Sequence, residues 1–456
     1  MAASVFDLSG NAELRTLLEE KMYRQQFTKN RFAQWIAPTF VKKMGGVEEI
    51  GAYGPDGPQW TNAPIEVENA FITKGRTEML IPVRSRLIGL PVFGDKTLKG
   101  TAEAAAYAFR AVQINRTRKA YAPPTGMQKQ KTKQWARWLI GDAHQQLSTW
   151  NNDWLPSNVL LALHAGFSQD LVASVAQGGL AVDYVSHPNL FVAGYGRVAW
   201  DPTANNNQGD YTAATRPGTA AYEAAVEAAL DGMSNIASCR MSVAFLRNQV
   251  QEAARCKIPT IATASGMEFY PIWMRETAFL QLQADPEFLS LAKSLHISEL
   301  EKHPLANMAK VYIAGAVIYV DNKMWCAYTH TDDSNITAGT VEYGPRPSAA
   351  QRGLGFKVGN VFNSFDAGDK AVGFLIGPSC MTVGIGERPG YTEDNDDHGN
   401  VVEIGLDFIQ SIVRNETFDT IGLLAGKGLV PTKGDFYENT SSIMFVTWSP
   451  FALAYN

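Results

Sequence analysis

Residues 125–150 read Thr125-Gly-Met-Gln-Lys-Gln-Lys-Thr-Lys-Gln-Trp-Ala-Arg-Trp-Leu-Ile-Gly-Asp-Ala-His-Gln-Gln-Leu-Ser-Thr-Trp150. Trp135, Leu139, Ala143 and Leu147 recur at four-residue steps, with Trp138 and Trp150 beside the same stripe. That spacing puts them on one face of a helix. Thr125 is placed to cap its start, and Asn151, Asn152 and Pro156 follow its expected end. Such a helix is about 40 Å long. Gly141 costs it about 1 kcal/mol against alanine, which aromatic packing offsets.

Towards the N-terminus the texture changes. Thr77–Ile88 and Tyr107–Arg118 both alternate broadly, as strands do, and Gly89, Gly94, Asp95 and Gly100 mark a wide tip between them. The two segments predict a long hairpin. Before it, residues 44–64 are rich in turn dipeptides and predict a loop. Residues 11–36 carry Leu14, Leu17, Leu18, Met22, Phe27, Phe32, Trp35 and Ile36 on an approximate helical face ended by Pro38. An arm of this kind cannot bury itself, so it needs a partner surface.

Towards the C-terminus, residues 165–218 are polar and rich in Gly and Asn, and predict an irregular insertion. An alanine-rich helix starts at Thr219, and a second runs through Met241–Cys256 with Val243, Leu246, Val250 and Ala254 on one face. Glu268–Met274 predicts a strand, and Asp285-Pro286 a helix start with proline at the first helical position. Met308–Val320 and Lys370–Gly386 are apolar segments, and Ser442–Trp448 predicts a last strand.

The chain has 456 residues, more than one hydrophobic core usually organises, so two or three lobes are expected. Apolar residues make up 45% and charged residues 19%, a globular balance. The formal net charge of −5 excludes nucleic-acid affinity by bulk positive charge. The run Val311–Val320 is half the length of a membrane span, and the N-terminal residues lack the basic and apolar regions of a signal peptide. Cys239, Cys256, Cys326 and Cys380 are far apart and predict reduced core thiols in a cytoplasmic product.

The charge is unevenly spread. Residues 74–133 hold 13 Lys/Arg against 3 Asp/Glu, a net of +10, while residues 391–456 hold 3 against 10, a net of −7. A basic and an acidic segment in one chain suit a protein that pairs with copies of itself, an arrangement that closes into rings or shells.

Catalytic signals are weak. None of the seven histidines falls in a metal-binding spacing. His330-Thr-Asp-Asp333 offers a base with an orienting carboxylate, Asp332 or Asp333, and defines the alternative of a hydrolase. No GxSxG elbow accompanies it. The run Glu393–Gly399 fits a calcium loop poorly, because Gly405 stands where a bidentate glutamate is required. Gly384–Gly390 and Gly426-Lys-Gly428 match no phosphate-binding fingerprint. No catalytic, cofactor-binding or metal-binding residue is predicted.

The order of elements resembles the major capsid protein of tailed bacteriophages, the Hong Kong 97-type fold. Met79–Gly89, Gly94–Gly100, Val112–Lys119, Phe269–Asp285 and Ala371–Gly386 are more narrowly similar to the coat proteins of N-four-like podoviruses. The resemblance covers about 75–165 and 268–425. It implies an α+β fold with residues 1–70 as N-terminal arm and 71–123 as extended loop. Residues 124–218 would be the peripheral domain with its spine helix at 125–150 and the insertion. Residues 219–390 would be the axial domain, 391–430 the peripheral return strands and 431–456 the C-terminal strand.

It also implies a structural role without enzymatic activity or cofactor. Hexamers and pentamers would build an icosahedral shell in the virion around double-stranded DNA, without sequence-specific contacts and with no membrane. Assembly would take place in the host cytoplasm. Portal, scaffolding and decoration proteins are the implied partners, and a portal or decoration protein is itself an alternative identity. Relatives crosslink through Lys and Asn side chains, but no motif here places such a bond. Cleavage of the N-terminal arm is not expected, and both termini are expected to be held by neighbouring copies. The residues expected at contacts between subunits are Arg84, Arg86, Arg110, Arg116, Arg118 and Lys119 on the basic side. Glu393, Asp394, Asp396 and Asp397 stand on the acidic side.

Overall fold

The computed structural model describes residues 16, 19–22, 63–68, 78–84, 92–95, 107–121, 129–166, 187, 189–198, 225, 228–230, 232–234, 236–256, 258–262, 268–292, 311–313, 315–321, 325–328, 355–358, 370–396, 401–415 and 441–449. The readings for the chain termini, for most of residues 44–64 and for His330–Asp333 lie outside them.

Strands β1 (Ile65–Glu68), β2 (Glu78–Arg84), β3 (Tyr107–Gln113) and β4 (Asn115–Tyr121) precede the 37-residue helix α1 (Lys129–Ala165). Next come β5 (Leu190–Val192), β6 (Gly196–Arg197), α2 (Val243–Arg255), β7 (Ile261–Ala262), β8 (Glu268–Met274), α3 (Glu276–Gln283) and α4 (Pro286–Ala292). Then follow β9 (Val311–Ile313), β10 (Ala316–Val320), β11 (Trp325–Tyr328) and β12 (Gly355–Val358). The last four are β13 (Lys370–Ile376), β14 (Met381–Asp396), β15 (Val401–Arg414) and β16 (Ser442–Trp448). The α+β class expected from the sequence is the class observed.

The strands sort into three sheets. The larger has the order β6-β5-β16-β13-β8-β10-β9, with β7, β11 and β12 attached off this path. Its alternate residues serve opposite faces: Val372, Phe374 and Ile376 on one, Ala371 and Leu375 on the other. Helices α2 to α4 contribute to the second of these cores through Leu246, Phe279 and Phe288. Asp285 ties two of them together. Its Oδ1 accepts from the Glu287 N–H at 3.0 Å, and its Oδ2 accepts from the Val243 N–H of α2 at 2.9 Å. One carboxylate thus satisfies donors at two helix starts.

The smaller sheet has the order β1-β14-β15-β4, and α1 packs across β15 and β4. Trp154 meets Phe408 edge to face at 5.0 Å, and Trp150 lies 6.0 Å from the same ring. Ala143 and Leu147 are buried as the four-residue stripe predicted. The third sheet is the hairpin β2–β3, antiparallel from Glu78 opposite Gln113 to Arg84 opposite Tyr107.

Several expectations need correction. The long helix does not end near Trp150. It runs through Pro156 to Ala165. An internal proline costs about 3 kcal/mol, but Trp154, Leu155, Val159, Leu160 and Leu163 beyond Trp150 are all buried, and each stabilises by about 1.5–3 kcal/mol. Tyr107–Arg118 is not one strand: at Ile114 it leaves the hairpin and continues as β4 in the smaller sheet.

Residues 165–218 are not wholly irregular, because Leu190–Val192 pairs in parallel with β16 inside the larger sheet. The passage back to the smaller sheet falls at Gly377–Cys380, before β14, and not at residue 390. In α2 the buried face is Val243, Leu246, Gln249 and Ala253, rotated from the expected Val250 and Ala254. Met22 of the N-terminal segment is fully buried within its own chain, so at this position the arm needs no neighbour.

Candidate assembly surfaces

Among the described residues β4 is the outer strand of the smaller sheet, and an outer strand leaves one row of backbone groups without a strand partner. Its seven residues are mostly half-buried or exposed, with Arg116, Arg118, Lys119 and Ala120 the exposed ones. Lysine and arginine on such an edge oppose indiscriminate pairing with other strands.

The predicted basic residues have different fates. Arg116 is held within the chain: its Nε donates to Asp407 Oδ1 at 2.8 Å, and its terminal nitrogen bridges the same carboxylate. Asp407 stands opposite Arg118 in the ladder and is nearly buried. Its hydrogen bond and charge raise the Arg116 value further. Arg118 and Lys119 are exposed and have no ion-pair partner among the described residues. Tyr121 donates to Asp142 of α1, and that bond, then burial, raises its pKa. Arg84 and Arg110 lie in the hairpin ladder opposite Tyr107 and Ile81. Arg86 lies outside the described residues.

The predicted acidic residues fall in or just after another strand of the same sheet. Glu393, Asp394 and Asp396 belong to β14 and stand opposite Ile404, Glu403 and Val401, so these three positions are strand. Asp397 lies outside the described residues. The basic and acidic groups are thus brought to one sheet, with β15 between their strands. The hairpin tip adds Phe93, 75% exposed, beside Gly94 with φ of +68°. At that φ a side chain would be strained.

Asp407 was missed by sequence reasoning, because its partner is 291 residues away. Arg414 was missed for the same reason. It is fully buried at the end of β15, donates to the Leu163 carbonyl from its guanidinium, and gives its N–H to the Gly166 carbonyl at 2.9 Å. It thereby closes the C-terminus of α1, where carbonyls lack helical partners.

The larger lobe carries a cleft of about 520 Å³ between the β5–β6 turn and α2, lined by Phe191, Arg197, Phe245, Gln249, Glu252 and Arg255 among others. Glu252 is engaged there by Arg255 at 2.7 Å. Among the described residues no three His, Cys, Asp or Glu side chains gather to hold a metal. Cys239, Cys256 and Cys380 are buried free thiols, as expected. No described helix is long and apolar enough to cross a membrane.

No family model matches the chain, and no curated protein matches it. Solved structures do. The capsid of Ralstonia phage GP4 aligns with a TM-score of 0.53 at 15% identity, over 85% of this chain and 88% of that one. The capsid asymmetric unit of Cyanophage Pam1 aligns at 0.52 and 13% identity, over 93% of both chains. The chain has a phage-capsid fold.

Proposed function

We propose that this chain is the major capsid protein of a tailed bacteriophage, acting by self-assembly and not by catalysis. The observation that carries the reading is the fold it shares with two phage capsid chains over most of its length and theirs. Hexamers and pentamers would form an icosahedral shell around double-stranded DNA, built in the host cytoplasm with portal, scaffolding and decoration partners. The placement among N-four-like podovirus coat proteins rests on the strings at 79–89, 94–100, 112–119, 269–285 and 371–386.

The edge strand β4 suggests how copies recognise one another. Arg118 and Lys119, with Arg84, Arg86 and Arg110 of the hairpin, would face acidic groups of a neighbour such as Glu393, Asp394, Asp396 and Asp397. Charge sets register and partner choice, while apolar burial at roughly 25 cal/mol per Å² supplies most of the affinity. Arg116 has a smaller part in this contact, because Asp407 already engages it. A mildly negative chain also suits a DNA container, since a lining that gripped phosphates would retard packing and release.

The test is negative-stain electron microscopy of the expressed chain with its scaffolding partner. Closed shells are the expected outcome. A single ring would indicate a portal. A small discrete oligomer whose hydrolytic activity vanishes in His330→Ala would establish the enzyme alternative.

A further inference from the structure

β1 pairs with β14 only from Met381 to Gly384. Beyond that point the outer edge of β14 has no strand neighbour among the described residues. Backbone N–H groups on such an edge need other acceptors. For Tyr391 the acceptor is Glu19 Oε1, at 2.9 Å, supplied by the helical stretch at 19–22. The same stretch buries Met22 completely in the core cluster that contains Tyr391. On the other side, the Tyr391 hydroxyl is hydrogen-bonded to Nδ1 of His144, on α1. Glu19, Tyr391 and His144 thus form a chain of contacts from the N-terminal segment to the long helix.

We propose that the segment around Glu19–Met22 is an acid-released latch on the smaller sheet, held in place while His144 is neutral. The inference rests on contacts within one chain and goes beyond the assembly reading. Burial, then the Glu19 charge, raises Tyr391, so its hydroxyl keeps its proton and shares a hydrogen bond with Nδ1 of the imidazole. Protonating the ring leaves Nδ1 able only to donate to the hydroxyl oxygen and puts a charge on a half-buried side chain. It also places a second cation near Lys21 of the segment.

Burial chiefly, and Lys21 second, lower the His144 pKa from its ordinary value of 6.5. The groups facing it are Lys21 from the segment and Tyr391 from β14, with Glu19 one contact further on at the Tyr391 N–H. β15 contributes apolar Leu406 opposite Tyr391, and Asp142 on the same helix is engaged by Tyr121 of β4. Releasing the segment restores solvent to His144 and removes Lys21, so its pKa returns towards the ordinary value. The released state then binds more protons, and the latch weakens as pH falls through that value.

The experiment is hydrogen exchange of the Tyr391 amide in the full chain, corrected for the intrinsic pH dependence of exchange. Between about pH 8 and about pH 5, where an unperturbed imidazole titrates, protection at Tyr391 is expected to fall several-fold. His144→Gln, which keeps a hydrogen-bonding amide but cannot titrate, should show no such fall. Lys21→Met should show a smaller one, because one cause of the lowered His144 value is gone. Constant protection in the unmodified chain overturns the proposal, as does an undiminished fall in His144→Gln. Should His144→Gln fail to fold, a fall in Lys21→Met as large as in the unmodified chain has the same force.

Discussion

β13 and β4 are both seven-residue strands, yet they live in opposite environments. Every residue of β13 is buried, between β16 on one side and β8 and β11 on the other, with a core on each face. Among the described residues β4 has one strand neighbour, β15, and exposes Arg116, Arg118, Lys119 and Ala120. A strand enclosed on all sides contributes stability, because its apolar area leaves water when the chain folds. An outer strand with a charged rim contributes little of that, and what it offers is a surface for another molecule. The contrast is one between strands and not between whole sheets, because β15, the neighbour of β4, is itself buried at Leu406, Phe408 and Ile412.

The largest effect expected from this contrast is in the larger sheet. Phe445 of β16 is 1% exposed, meets Phe245 of α2 edge to face at 5.8 Å, and fills the space left by Gly373 on β13. Phe445→Ala is expected to cost about 3–5 kcal/mol by the lost transfer energy and the cavity left behind. Denaturant unfolding measures it. A cost below about 1 kcal/mol would break the comparison by showing that stability resides elsewhere.

A middle-sized effect is expected where α1 is joined to the smaller sheet. Arg414→Met keeps the length of the side chain but removes the guanidinium from the Leu163 carbonyl. A buried carbonyl left without its partner costs about 1–3 kcal/mol, read as a lowered midpoint in thermal melting. A loss as large as that of Phe445→Ala would mean that the join, and not the larger sheet, limits stability.

The elements legible in the sequence are those fixed by local chemistry. Ser442–Trp448 and Glu268–Met274 are short apolar runs with turn residues near them, and both are strands. Asp285-Pro286 pairs a capping carboxylate with a residue that needs no N–H, and a helix starts there. Illegible were the features decided by distant partners. Leu190–Val192 is three residues long and is a strand because β16 lies beside it. Pro156 reads as a helix end until the apolar residues after it are known to be buried. At the candidate surface the exposed basic residues were readable as a charge run, but the selection among them was not. Only the distant Asp407 separates Arg116, which it engages, from Arg118 and Lys119, which it leaves available.

That separation yields the smallest effect on stability and the sharpest test of the contrast. Arg118→Glu combined with Lys119→Glu changes two exposed side chains with no ion-pair partner among the described residues. Surface substitutions of this kind change stability by about 0.5 kcal/mol or less, so the unfolding midpoint should stay close to that of the unmodified chain. If β4 serves to meet acidic groups of a neighbour, the double variant should nevertheless fail to assemble. Sedimentation would then show folded subunits or small oligomers in place of particles. The two substitutions act on assembly by different routes. Phe445→Ala weakens assembly only by unfolding the subunit, whereas Arg118→Glu/Lys119→Glu leaves the subunit intact and puts like charges face to face, at a cost of several kcal/mol across an interface. Normal particles from the double variant would remove β4 from the contact and leave the hairpin tip at Phe93 as the next surface to examine.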